Sequence, residues 1–129
     1  QNRGKIIINS TTNVWPHELF IAKCLSALGR TVEFIPANNT HRSADALIDG
    51  VVYEFKSPEG SNIRCIERNV KRSKKQSSNI IICSIRVKRI HDRSIYTFLQ
   101  NNAVSFHGID NLLFIDRNGR VFDITHKKK

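Results

Sequence analysis

The sequence predicts a single α/β domain spanning residues 1–129, with a central mixed sheet flanked by helices. Its elements run α-β-β-β-α-β, followed by a C-terminal helix and β-hairpin. Three observations predict this: an Asp49-Gly50 dipeptide between two apolar runs, apolar residues at helical spacing on either side of that hairpin, and an unbroken apolar stretch beginning at Asn79. The chain length fits one core, and 40% hydrophobic content with few glycines and prolines argues against disorder.

The first helix starts near Trp15-Pro16, where proline suits a first turn, and ends before Gly29; its apolar stripe is Phe20, Ile21, Cys24, Leu25 and Leu28. Residues 31–36 form a short strand. Asp49-Gly50 then sets a hairpin register in which Ile48 faces Val51, Leu47 faces Val52, Ala46 faces Tyr53 and Asp45 faces Glu54. Residues 61–77 place Ile63, Ile66, Val70 and Lys74 at helical spacing, and 79–87 reads as a buried strand. Asp92 caps a helix carrying Ile95, Phe98 and Leu99, and residues 112–115 and 121–124 form a hairpin through Asn118-Gly119. Asp116 and Asp123 are not opposite one another there, which points to structural roles.

Alternation along the hairpin puts Ala46, Ile48, Val51, Tyr53 and Phe55 on a core face and Asp45, Leu47, Val52, Glu54 and Lys56 on the other. Like charges directly opposite in a sheet are destabilising, so Asp45 and Glu54 call for a positive neighbour, either Lys56 or a divalent cation. Magnesium or manganese takes such oxygen ligands, leaves room for water and phosphate, and activates the water; zinc is also admissible. The bland alternative is a solvated strand face with an incidental salt bridge.

This order of elements, with Asp45 on the second strand and Glu54-Phe55-Lys56 on the third, resembles the PD-(D/E)xK restriction-endonuclease-like superfamily. The resemblance implies Asp45 and Glu54 as metal ligands, Lys56 as the catalytic lysine, and an extra acid from the first helix, a position Glu18 fits. Ala44 stands where that family often has proline. Read onward through Ser57-Pro58-Glu59-Gly60, Lys74-Lys75-Gln76 and residues 79–85, and loosely through 112–124, the pattern is similar to C-terminal nuclease toxin domains of contact-dependent growth inhibition and related polymorphic toxins. The first 40 residues match only by order of elements.

That likeness implies a nuclease acting on tRNA more often than DNA, a cognate immunity protein, and in some cases a host factor such as a translation elongation factor. It also implies export as the C-terminal part of a cell-surface protein that works in the target cell's cytoplasm. Toxins of this class occur as well on a barnase/EndoU/colicin/RelE-like fold, a helix followed by an antiparallel sheet. There Lys56 and a histidine, His17 before His41, would act on the 2′-hydroxyl without metal. A third reading is a non-catalytic basic nucleic-acid-binding module.

Charge is unevenly distributed within the net +10: residues 1–59 hold six Lys/Arg against six Asp/Glu, and residues 60–129 hold fifteen against five. Arg64, Arg68, Lys71, Arg72 and Lys75 lie opposite the apolar stripe of their helix, a surface that attracts a phosphate backbone. An immunity protein covering it is expected to be acidic. No zinc-finger, helix-turn-helix or RNA-recognition signature is present.

Three cysteines, Cys24, Cys65 and Cys83, lack Cys-x-x-Cys spacing and read as reduced core residues. Residues 6–8 are too short an apolar run to span a membrane. The chain starts at Gln1 and contains no methionine, as expected for a module cut from a larger protein.

Overall fold

The computed structural model describes residues 4–10, 12–36 and 45–124, so His41 lies outside the described residues. Helix α1 (Pro16–Ala27) has proline in its first turn. It closes in a Schellman motif: Gly29, at φ +86°, bonds to the Ser26 carbonyl, and the Arg30 N–H bonds to that of Leu25. Leu28 caps this end outside the helix and is 63% exposed, so it is not part of the buried stripe expected from spacing. Ile21, Ala22 and Leu25 are fully buried.

A short strand β1 (Ile6–Ile7), which the sequence pattern does not predict, precedes α1 and pairs in parallel with β2 (Val32–Phe34). Next comes the hairpin of β3 (Ala46–Ile48) and β4 (Val51–Lys56), with Ile48 opposite Val51, Leu47 opposite Val52 and Ala46 opposite Tyr53. Asp49 and Gly50 take φ +49° and +85°, the primed turn that the twist of two-residue hairpins favours. The turn is also pinned from outside: Asp49 accepts the Thr31 N–H at 2.8 Å and the Arg30 guanidinium, which together hold its carboxyl below the usual carboxylate range. Val51, expected in the core, is 45% exposed beside this turn.

Helix α2 (Ile63–Ser73) is capped by the Asn62 side chain, which accepts the Arg64 N–H at 3.0 Å. Strand β5 (Asn79–Cys83) ends earlier than its apolar run, because the Val87 N–H turns back to the Ser84 carbonyl. Helix α3 (Asp92–Asn102), a 3-10 turn (Ala103–Ser105), β6 (Asn111–Ile115) and β7 (Val121–Asp123) follow.

Among the described residues the strands form one seven-stranded mixed sheet in sequential order, with β4, β5 and β6 parallel and β6–β7 antiparallel. That parallel centre differs from the antiparallel sheet of the barnase-like alternative. Alternation divides the core into two layers. Ile81, Cys83, Leu113 and Ile115 join Tyr53, Phe55 and α1 on one side, while Ile80, Ile82, Leu112 and Phe114 meet α2 and α3 on the other. Cys83 sits in the first layer, where burial pushes its thiol up to about 12. All three cysteines are free.

Asp92 does not cap α3, whose N-cap is His91; its carboxylate instead ties three segments together. Oδ1 accepts the Ser84 hydroxyl at 2.5 Å and Arg117 Nη1 at 2.7 Å, and Oδ2 accepts the Arg117 N–H at 3.0 Å. Arg117 Nη2 in turn donates to the Val87 and Ile90 carbonyls. Asp92→Ala is therefore expected to lower stability by about 2 kcal/mol, the scale of hydrogen bonds to a charged partner. Urea unfolding at fixed ionic strength checks this. Asp116, 1% exposed, accepts the Asn118 and Arg120 N–H groups and so shapes the β6–β7 turn, in keeping with a structural role.

Candidate active site

The site forms where β4 changes partners: residues 51–53 pair with β3, and residues 54–56 pair with β5. The β3–β4 ladder ends at Ala46 and Tyr53, so Asp45 and Glu54 are not a ladder pair as the register alone suggested. Asp45 instead bonds through its N–H to the Tyr53 carbonyl at 3.1 Å, and its Oδ2 accepts the Phe55 N–H at 2.8 Å. A side-chain oxygen thus replaces a backbone acceptor, which holds the carboxylate against β4 at the handover.

Glu54 is 3% exposed and Lys56 stands two residues on, on the same face; Lys56 Nζ is 3.2 Å from Glu54 Oε2. A carboxylate this buried needs a cation close by. Both line a cleft of about 410 Å³ together with Asp45, His17, Arg86 and Trp15, and α2 contributes Asn69, and the turn after it Gln76, to its wall. The Ser57 hydroxyl oxygen, on the same wall, is buried and has no hydrogen-bond partner among the described residues.

Helix α1 brings its N-terminus to this cleft. Glu18 borders it, but its Oε1 accepts the Trp15 N–H at 2.9 Å, which closes the first turn. His17 Nδ1 lies 3.2 Å from Arg86 Nη1. Because a guanidinium only donates, Nδ1 is the acceptor and the imidazole proton sits on Nε2. Arg86 Nε also donates to the Ser57 carbonyl at 3.1 Å, and Nη2 is 3.4 Å from Glu59 Oε1.

Burial and then Arg86 push the His17 pKa below its ordinary 6.5, against weaker upward pulls from Glu59 and Asp45. As pH falls below 6.5 the unfolded chain takes up this proton before the folded one does, so His17 contributes a loss of stability that grows until its own lowered pKa is reached. An NMR titration is expected to give a His17 midpoint below 6.5, raised but not restored to 6.5 in Arg86→Gln because burial remains.

The sequence pattern does not single out Arg86 as a site residue. The available signal was its position just beyond β5, since the carboxyl ends of parallel strands are where sites gather in open α/β sheets. Arg64, Arg68, Lys71, Arg72 and Lys75 are all exposed, and none lines the cleft. They form a flank beside it, with Lys71 3.2 Å from Glu67. Among the described residues no three His, Cys, Asp or Glu side chains are grouped to hold a metal by themselves, and no helix is long and apolar enough to cross a membrane.

Fold and cleft together define a small α/β domain with a carboxylate, lysine and arginine site at a strand switch. The family model for the contact-dependent growth inhibition CdiA C-terminal domain matches residues 42–121, and the chain belongs to that family. Its structure is similar to a chain from a CdiA-CT/CdiI toxin and immunity complex of Burkholderia pseudomallei, with a TM-score of 0.68 and 22% sequence identity over 93% of this chain and 98% of that one. At that identity the likeness is one of fold. None of the curated proteins matches the sequence.

Proposed function

We propose that this domain is the toxin module of a contact-dependent growth inhibition protein, delivered into the cytoplasm of a target cell. There it acts as a metal-dependent nuclease on RNA, tRNA foremost, and a cognate acidic immunity protein neutralises it. The observation that carries the nuclease reading is the convergence of Asp45, Glu54, Lys56 and Arg86 on one cleft. Membership of the CdiA C-terminal family supports the toxin role. The fold shared with a protein described as part of a toxin and immunity complex supports the partner.

Asp45 and Glu54 would hold the ion. Two carboxylates and a nearby buried hydroxyl are hard oxygen donors, and magnesium or manganese binds through one or two carboxylates while keeping several waters. When bound, such an ion neutralises charge at the phosphate and lowers the pKa of water. Lys56 donates to a phosphate oxygen or orients the attacking water. Arg86 supplies a second fixed positive charge. His17, with Nδ1 engaged by Arg86, presents Nε2–H as a donor. The α2 flank grips the backbone, each phosphate contact adding a slope of about −0.7 in log affinity against log salt on single strands.

The test is cleavage of total bacterial RNA, beside plasmid DNA, by the purified domain in cell extract that supplies any host factor. Discrete tRNA fragments with magnesium and none in EDTA are expected. His17, its pKa lowered and lining the same cleft as Lys56, favours one second reading, cleavage through the 2′-hydroxyl without metal. Persistent cleavage in EDTA with cyclic phosphate ends would establish that chemistry instead. No cleavage of either nucleic acid would overturn the nuclease reading and leave a binding module.

A further inference from the structure

Trp15 is the only tryptophan of the chain, lines the cleft, and is 64% exposed. It occupies the N-cap of α1, a position where Ser, Thr, Asp or Asn would stabilise the helix and where the indole makes no cap hydrogen bond. Glu18, at the third position of the helix, accepts the Trp15 backbone N–H, a bond in which the indole takes no part. Packing does not account for the indole either, since most of its surface meets solvent. A large aromatic ring that serves neither capping nor core marks a position where local stability has yielded to another role.

The ring is also oriented. Its plane lies within 15° of that of His17, with centroids 6.3 Å apart, and His17 is itself held by Arg86. An exposed aromatic face therefore lines a cleft whose other walls carry Lys56 and Arg86 together with the carboxylates of Glu18, Asp45, Glu54 and Glu59, while the exposed cations of α2 lie outside it on its flank. Cationic grooves paired with aromatic platforms bind single strands, because every base has a π-face that a duplex keeps stacked inside.

Resting on the nuclease reading above, we propose that Trp15 is a base-stacking subsite that accepts an unpaired nucleotide next to the scissile phosphate and so restricts the substrate to single-stranded or looped segments. A flat exposed indole could instead meet a protein partner; the arrangement with Lys56 and Arg86 favours a nucleotide, whose phosphate and base the cleft would satisfy together.

The experiment uses the single tryptophan as its own reporter. Asp45→Asn protein is titrated in EDTA with a short single-stranded oligoribonucleotide and with a blunt duplex of the same sequence, following intrinsic fluorescence. Anisotropy of a labelled oligonucleotide gives the affinity of Trp15→Phe and Trp15→Ala in the same background. Expected are saturable quenching by the single strand and not the duplex, a 5- to 150-fold loss of affinity in Trp15→Ala on the order of one stacked base, and near-native affinity in Trp15→Phe. Equal quenching by duplex, or unchanged affinity in Trp15→Ala, overturns the subsite. If wild-type protein cleaves RNA with magnesium while Trp15 fluorescence stays still, the subsite fails and the nuclease reading stands. Selective quenching without any cleavage would keep the subsite and remove the nuclease reading.

Discussion

Asp45→Asn is expected to remove cleavage while leaving the protein folded. The asparagine keeps an oxygen where Asp45 Oδ2 accepts the Phe55 N–H, so the β3–β4 junction retains its hydrogen bond and only the negative charge is lost. Activity should fall by at least about 100-fold, the lower end of what one preorganised electrostatic group contributes in an active site. Asp45→Ala is the less informative variant. It also strands the Phe55 N–H, at about 1–3 kcal/mol, and so mixes a folding defect into the activity loss. Cleavage rates measured beside thermal unfolding separate the two. An Asp45→Asn protein with native stability and near-native cleavage would remove Asp45 from the site.

Phe114→Ala is expected to cost the domain a large part of its stability. Phe114 is fully buried on β6, in the layer shared with α2 and α3, and its ring packs on Phe122 at 6.0 Å between centroids with planes 20° apart. Emptying such a site removes transfer free energy and leaves a cavity that the surrounding strands cannot close, about 3–5 kcal/mol in total. Against a typical domain stability of about 5–15 kcal/mol, this leaves a marginal protein. Denaturant unfolding should show a lower midpoint at unchanged slope. Leu28→Ala provides the contrast: at 63% exposure it should stay within about 0.5 kcal/mol of wild type. A comparable loss in both would mean that the core is not where burial places it.

Features governed by neighbours along the chain were legible in the sequence. Asp49-Gly50 dictates a hairpin because both residues tolerate positive φ, and the register of Ala46, Leu47 and Ile48 against β4 follows from that turn. Period-2 and period-3.6 burial identified Tyr53, Phe55, Ile66 and Val70 as core, since side-chain direction is a backbone property. The grouping of Asp45, Glu54 and Lys56 came with the register, although the carboxylate is held by a side-chain bond rather than a ladder pair.

Other features belong to the tertiary structure. The two-residue strand β1 carries too little pattern to be read alone and exists through its parallel pairing with β2. Strand β5 stops at Cys83, short of its apolar run, where the turn at Ser84 is tied to Asp92 and Arg117. Arg86 enters the cleft by meeting His17, 69 residues earlier in the chain, and Trp15 gains its place only once α1 is docked beside β4. The sequence by itself thus determined the hairpin, the helices and the carboxylate–lysine motif, which rest on backbone preference and periodicity. The tertiary structure alone decided which cations and aromatic ring complete the site, because those contacts join segments whose separation along the chain leaves no local signal.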